Sequence, residues 1–198
     1  MPRGLVGSSL VLFVTSVSAA PVPKAKPVEP YFPTAVGTRW VYERQNGKLL
    51  TEEVIEVTEK DGERRVTVRS YEQESHWDCT FSVTEKEVVQ RTAIQFKVDF
   101  LLMQLPLKEQ NSWEFEMPIQ QGFKCDAGKM TVGKTEKIEV PAGTFEAVPV
   151  VSETTAVDGK AIPTPEKCTR WWVAGVGLVK IEYAGGHRVL KEFTPAKK

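Results

Sequence analysis

One stretch of the chain matches a known phosphate-binding pattern. Gly128–Thr135 fits G-x-x-x-x-G-K-[ST], whose backbone N–H groups surround phosphates at the N-terminus of a following helix. Such a loop therefore needs a buried strand before it and a helix after it. Here Gln120–Asp126 is largely polar, and Glu136–Val140 is strand-like and stops at a Pro-Ala-Gly turn. We interpret the match as accidental and expect no nucleotide to bind.

Metal binding and hydrolysis have equally weak signals. His76, Asp78 and Cys79 form the single local cluster of metal-ligating residue types. On a strand, His76 and Asp78 would lie on one face and Cys79 on the other, so the three would not converge on an ion. Neither a metal site nor a cofactor is predicted. The chain lacks G-x-S-x-G, and neither a serine nor a cysteine lies in a recognisable nucleophile context.

The carboxylates do not form a recognisable catalytic pair either. Glu114 and Glu116 share a face opposite Trp113 and Phe115, which is typical of the solvated side of a strand. No catalytic residue is nominated. An envelope enzyme that uses dispersed carboxylates is the alternative to a binding protein, and a structural surface-interaction protein is a further one.

Three cysteines, Cys79, Cys125 and Cys168, follow the N-terminal region. Outside the cytoplasm a pair would tend to oxidise and leave one thiol over. Cys79 shares its strand phase with Trp77 and Phe81, and Cys125 is in register with Phe123, so both are expected to face the core. A Cys79–Cys125 disulfide is our hypothesis, and three buried thiols are the alternative.

Apolar residues near the C-terminus fall on both faces of a predicted strand. If Trp171, Val179 and Ile181 point to the core, then Trp172, Val176 and Leu178 lie on the opposite face of the sheet. A solvent-facing sheet surface should not carry so much apolar area. The strand is either covered on both sides, with Phe100–Leu107 as a candidate cover, or borders a groove for an apolar ligand, or meets a partner protein. Trp172, Val176 and Leu178 are therefore the predicted ligand-binding residues.

The N-terminus predicts export. Residues 1–20 combine Arg3, an uncharged apolar stretch and small residues before Pro21, which is the layout of a secretory signal. Residues 21–30 are rich in Pro and Lys and predict an extended tether, and residues 31–198 are expected to form one domain. The chain is assigned to the periplasm or the extracellular space, without a transmembrane segment in its mature part. Its 26 basic and 26 acidic residues balance, so nucleic acid is not an expected partner.

Period-two alternation recurs through the predicted domain. Short apolar-polar runs are separated by Asn46-Gly47, Asp61-Gly62 and similar turns at roughly ten-residue spacing, which favours an antiparallel meander. Phe100–Glu109 is the one segment with some helical character. We predict an all-β fold, a strongly curved antiparallel sheet (half-barrel or barrel-like meander) with little helix. A faint echo of Pro33 and Trp40 in Pro106 and Trp113 suggests two related half-sheets, although convergent strand starts explain it equally well.

Three ordered motifs carry a resemblance. Residues 31–42 contain F-P-x-x-V-G-x-x-W-x-Y, residues 140–147 read V-P-A-G-T-F-E-A, and residues 171–180 contain W-x-A-x-G-V-G-L-V-K. Together they resemble a group of secreted, planctomycete-type bacterial proteins of unknown function. The resemblance implies a curved β-sheet domain, loosely similar to periplasmic lipoprotein-carrier half-barrels, and brings no catalytic residues. The expected role is binding of an apolar ligand or an envelope protein.

Overall fold

Thirteen β-strands make up the fold in the part of the chain that the structure describes. The computed structural model describes residues 30–91, 99–119, 124–157 and 159–197. The strands are β1 (Arg39–Arg44), β2 (Leu49–Lys60), β3 (Glu63–Glu72), β4 (Ser75–Val83), β5 (Glu87–Arg91), β6 (Phe100–Gln104), β7 (Ser112–Ile119), β8 (Lys124–Val132), β9 (Glu136–Val140), β10 (Gly143–Val157), β11 (Lys160–Val173), β12 (Gly177–Tyr183) and β13 (Gly186–Thr194).

Twelve of these strands follow one another around a single sheet. Their order is β6-β5-β4-β3-β2-β1-β13-β12-β11-β10-β8-β7, and β9 pairs with the first part of β10. The pairings are antiparallel, and the sheet curls until β6 and β7 face each other across one seam. The chain thus builds two meanders of six strands each, β1–β6 and β7–β13 without β9, which join where β1 pairs with β13.

The predicted all-β, curved antiparallel fold is confirmed. Gly47, Gly62 and Gly143 have positive φ in the turns where the sequence indicated them. The expectation of helical character at Phe100–Glu109 is wrong for its first half, because Phe100–Gln104 forms β6. Pairing with β5 and the burial of Phe100, Leu102 and Met103 outweigh the local helix preference.

Two clusters of apolar side chains form the core. The first contains Trp40, Tyr42 and Trp171, and the second contains Phe100, Phe115 and Trp172. The second cluster also bridges the seam. The rings of Phe100 on β6 and Phe115 on β7 meet edge to face at 5.8 Å, and the indole N–H of Trp113 donates to the carbonyl of Leu101 at 3.3 Å. Side chains therefore hold the two sheet edges together.

The joint between the two meanders depends on two aromatic hydrogen bonds. Trp40 Nε1 donates to the carbonyl of Val176 at 2.6 Å, and the Tyr42 hydroxyl donates to the carbonyl of Leu178 at 3.0 Å. Both side chains start on β1, cross over β13 and end at the start of β12. Gly177 lies between these acceptors with φ +98°, and a Cβ there would be 3.2 Å from Pro33 and 3.5 Å from Trp40 Nε1. The glycine lets the aromatic side chains reach the backbone.

Several predicted features lie outside the described residues. These are the signal at residues 1–20, almost all of the tether at residues 21–30, and the alternating apolar run at residues 94–98. They stay predictions.

Within the described ranges, no helix is long and apolar enough to cross a membrane.

The segment that matches the phosphate-binding pattern is extended. Gly128 lies within β8 and pairs with Thr154 of β10, and the next element after Thr135 is strand β9. A Cβ on Gly128 would be 2.1 Å from the backbone oxygen of Glu153 and 2.9 Å from the ring of Phe115. This glycine is therefore explained by close contact between strands, and the helix that phosphate binding needs does not follow it.

Gly128→Ala is expected to destabilise the fold by at least about 1–3 kcal/mol, because the added methyl group would overlap backbone and force β8 and β10 apart. Chemical denaturation measures this change in the free energy of unfolding. Gly186→Ala is the matched control, since its Cβ would meet only the ends of the Gln45 and Tyr183 side chains, which can move. Equal effects of the two substitutions would contradict the packing described for Gly128.

Candidate ligand-binding cavity

The curled sheet encloses a cavity of about 440 Å³. Most of its lining is apolar and comes from strands of both meanders. The larger apolar residues in the wall are Phe32, Trp40, Tyr42, Leu50, Val68, Trp77, Phe81, Phe100, Leu102, Trp172, Leu178 and Ile181. Pockets that hold small molecules commonly measure 300–1,000 Å³ and have such a lining with a few polar groups.

The segment that precedes β1 covers one end of this cavity. Phe32 packs on Phe81 with ring centroids 4.7 Å apart, and the carbonyl of Pro30 accepts a hydrogen bond from Gly175 at 2.9 Å. Phe32 and Pro33 line the cavity beside Gly177 and Trp40. We call this the apolar end, because aromatic and proline side chains dominate it.

The opposite end carries a row of arginines. Arg170 on β11 pairs with Ile181 on β12, Ile181 pairs with Arg188 on β13, and Arg188 pairs with Arg44 on β1. All four residues line the cavity. Arg44 is the last residue of β1, so the row lies near the hairpin that connects β1 to β2. The next residues inward on the same strands are Tyr42 and Trp172, which places the arginines directly above the apolar wall.

Two of these arginines have carboxylate partners. Arg44 Nη2 lies 3.0 Å from Glu72 Oε2, and Arg188 Nη1 lies 3.1 Å from Glu52 Oε1. The Arg188 guanidinium also lies 4.6 Å from the centre of the Tyr42 ring, a cation–π contact. Its Nε is buried and has no hydrogen-bond acceptor among the described residues. Burial, with the nearby Glu52 charge, holds the pKa of Tyr42 well above its usual value, so the hydroxyl remains a donor.

Arg170 has a different environment. Its Nη1 donates to the Ser152 hydroxyl at 3.2 Å, and that hydroxyl donates to the carbonyl of Cys168 at 3.1 Å. No carboxylate among the described residues pairs with Arg170. Burial lowers the pKa of its guanidinium, and the positive charge of Arg188 adds to this. Arginine is the most basic side chain, so the guanidinium is still expected to be charged at neutral pH.

A thiol also borders the cavity. Cys79 on β4 is half-buried in the wall, and Gln90 Nε2 lies 3.8 Å from its sulfur. Burial raises the pKa of the Cys79 thiol, and the charges of Glu52 and Asp78 raise it further. The sulfur is therefore a thiol rather than a thiolate at neutral pH and contributes a weakly polar surface.

Two of the three predicted ligand-binding residues line the cavity. Trp172 is 3% exposed and Leu178 is its direct cross-strand partner. Trp172 also packs in the same core cluster as Phe100 and Leu102, so β6 covers this face, as one sequence-based alternative predicted. Val176 lies elsewhere. It packs against the first core cluster, is not among the lining residues, and contributes its backbone carbonyl to Trp40.

The structure describes the side chains of two of the three cysteines. Cys79 and Cys168 are free thiols. Because Cys79 is a free thiol, the structure contradicts the predicted Cys79–Cys125 disulfide, and the side chain of Cys125 itself lies outside the described residues. Within the described ranges, no group of three or more His, Cys, Asp or Glu residues could hold a metal ion.

Sequence reasoning missed the arginine row. Charges at alternating strand positions normally indicate the solvated face of a sheet, but Arg170 has the same strand phase as Trp172, and Arg44 has that of Tyr42. This shared phase was the available signal. A charged residue two positions from an inward aromatic residue points into the same space.

The Cys79 thiol should react slowly for a cysteine. In a protein with Cys125→Ser and Cys168→Ser, we expect the reaction with a small disulfide reagent to keep accelerating at pH values where the rate for free cysteine has levelled. The raised pKa leaves less thiolate at any given pH. Absorbance kinetics across pH measure this, and a rate that levels at or below the pH found for free cysteine would contradict the assignment.

Comparison with solved structures shows related folds. A "putative lipoprotein" from Parabacteroides distasonis ATCC 8503 superposes with a TM-score of 0.57 and 17% identity, covering 85% of this chain and all of that one. A "putative exported protein with YmcC-like fold" from Bacteroides fragilis NCTC 9343 gives a TM-score of 0.54 at 12% identity, covering 84% of this chain and 99% of that one. At these identities the likeness concerns the fold.

A search of curated proteins found no significant match. The family comparison is more informative, because one family model matches residues 33–189, from the segment over the apolar end to the middle of β13. This range contains both meanders and nearly the whole cavity wall. The chain belongs to the DUF3108-like family.

Proposed function

We propose that this protein is exported and binds a small molecule with an apolar part inside its barrel. Trp172 and Leu178 form part of the binding wall. The observation that carries the proposal is the cavity itself, about 440 Å³ in volume and lined mainly by aromatic and aliphatic side chains. A groove for an apolar ligand was also one of the sequence-based explanations for the apolar surface around Trp172.

The proposed export has two independent supports. The first 20 residues have the composition of a secretory signal. One structural neighbour is described as a "putative lipoprotein" and the other as a "putative exported protein". We therefore propose the periplasm or the extracellular space as the site of action, and we retain the resemblance to planctomycete-type secreted proteins as part of this proposal.

The enzymatic alternative has less support from the cavity. An enzyme that uses dispersed carboxylates for general acid–base chemistry would require at least one carboxylate free to exchange a proton with a bound substrate. Glu52 is the acidic residue among the described lining residues, and it is held by Arg188. Binding without reaction is therefore the function that the geometry favours.

A surface-interaction role would require a broad apolar patch outside the barrel. The exposed large apolar residues of the described ranges are Val36, Leu49, Tyr71, Trp77 and Tyr183. All but Val36 lie at hairpins near the arginine end, and Trp77, 42% exposed, also lines the cavity. Trp77 therefore suits entry of an apolar ligand, whereas Leu49 and Tyr71 alternate with the lining residues Leu50 and Ser70 and face outward.

Filling the cavity should reduce binding. Dodecan-1-ol, an uncharged chain, is expected to bind the wild-type protein in isothermal titration calorimetry. Leu178→Trp places a larger side chain in the wall and should weaken this binding at least about tenfold, because excluding two methylene groups costs about 0.8 kcal/mol each. Leu49→Trp is the matched control, since it adds the same side chain at an exposed position and should bind as the wild type does.

The binding proposal would be refuted if dodecan-1-ol and other apolar probes gave no saturable binding. It would also fail if Leu178→Trp and Leu49→Trp had the same affinity as the wild type while both remained folded by circular dichroism, because the probe would then bind outside the cavity.

A further inference from the structure

We infer that the ligand is an amphiphile with one carboxylate, and that Arg170 binds this carboxylate while the apolar chain extends towards Trp40 and Phe32. This inference rests on the proposed ligand-binding function and specifies the substrate class of the same cavity. The class is that of single-chain fatty acids and molecules with the same head group and tail.

The charges around the cavity are not balanced. Its described lining contains Arg44, Arg170, Arg188 and one carboxylate, Glu52. Glu72 compensates Arg44 from outside the lining, and Glu52 compensates Arg188. Arg170 remains as one positive charge whose only described hydrogen-bond partner is a neutral hydroxyl.

The uncompensated charge of Arg170 has a free-energy cost. Arg170 is half-buried, and a charge withdrawn from water without a counter-ion is unfavourable, so such charges are normally paired. An anionic group on the ligand would supply the missing partner. The guanidinium has five N–H donors in a planar fork that matches the two oxygens of a carboxylate, and Ser152 engages only one nitrogen.

Arg170 lies next to the apolar wall of the cavity. Arg170 and Trp172 are two residues apart on β11, so both point into the cavity, and Leu178 lies opposite Trp172. Beyond them the wall continues to Trp40 and Phe32 at the apolar end. A molecule whose charged group meets Arg170 can therefore place its tail along Trp172 without burying a second polar group.

Arg188 increases the attraction for an anion at this place. It is separated from Arg170 only by Ile181 in the cross-strand row, and its positive charge repels that of the Arg170 guanidinium. A single negative charge between them relieves this repulsion. Because only one positive charge lacks a carboxylate, a monoanion fits better than a dianion such as a phosphate monoester.

The experiment compares three probes with the same tail and different head groups. Wild-type protein is titrated at pH 8 and low salt with dodecanoate, dodecan-1-ol and dodecyltrimethylammonium, each below its micelle concentration. We expect dodecanoate to bind at least about tenfold more tightly than dodecan-1-ol, since hydrogen bonds to charged groups contribute about 1.5–3 kcal/mol. The cationic probe should bind more weakly than the alcohol.

Three variants assign the effect to particular residues. Arg170→Gln should reduce the affinity for dodecanoate at least about tenfold and leave that for dodecan-1-ol within about twofold. Glu52→Gln frees Arg188 and should increase the affinity for dodecanoate. Arg69→Gln removes an arginine that is paired with Asp78 on the outer face, and it should leave the binding of all three probes unchanged.

The outcomes separate this inference from the proposed function. If none of the probes binds, the binding function itself is refuted. If dodecan-1-ol and dodecanoate bind equally well, or if Arg69→Gln weakens dodecanoate as much as Arg170→Gln does, the cavity binds apolar molecules but the carboxylate assignment is refuted. If Arg170→Gln does not fold, the carboxylate assignment is still tested by the three probes on the wild-type protein and by the affinity of Glu52→Gln for dodecanoate. Dodecyl phosphate binding more tightly than dodecanoate would overturn the choice of a monoanion.

Discussion

The number of strands in the barrel determines what its interior can contain. A barrel of about eight strands is just wide enough for inward side chains to fill, and wider barrels leave space inside. Here twelve strands follow one another around the sheet, and β1 pairs with β13 so that two meanders become one curved surface. The inward aromatic side chains narrow the interior but leave about 440 Å³. This interior space is what the proposed ligand would occupy.

The joint between β1 and the last two strands keeps the wide barrel from opening. Trp40 and Tyr42 satisfy backbone carbonyls at the start of β12 and bury their rings in the first core cluster at the same time. Two of the sequence motifs thus act as one structural unit, the W-x-Y of β1 and the G-V-G-L that leads into β12. At the seam, Phe100, Phe115 and Trp113 connect β6 to β7 by side-chain contacts. Backbone pairing closes one side of the barrel and aromatic packing closes the other.

The strands and several turns were predictable from local patterns, whereas the polar part of the cavity was not. Alternation, Asn46-Gly47 and Pro141-Ala142-Gly143 carry their structural meaning within a few residues. The conformation of β6 was harder to predict. It depends on pairing with β5, and no pattern within a few residues of β6 indicates that pairing. Trp172 and Leu178 were identified by their excess of apolar area. Arg170 was missed because an arginine in an alternating strand normally faces water, and only closure of the sheet turns that face inward.

The arrangement gives the cavity a direction. Its apolar end lies under Phe32 and Pro33, and its other end carries Arg44, Arg170 and Arg188 beside exposed aromatic residues such as Trp77. A ligand of the proposed class that enters between the hairpins would insert its tail first and leave its carboxylate beside the arginines. In the proposed complex, charge would fix the orientation of the ligand, and apolar contact area would provide the larger part of the binding free energy.

The central claim, that a ligand occupies the interior of the barrel, is tested most directly by a crystal structure with ω-bromododecanoate and anomalous diffraction at the bromine edge. The account predicts one bromine peak inside the barrel near Phe32 and Trp40, with carboxylate density beside Arg170. Bromine peaks confined to the outer surface, with the interior of the barrel unchanged, would contradict it.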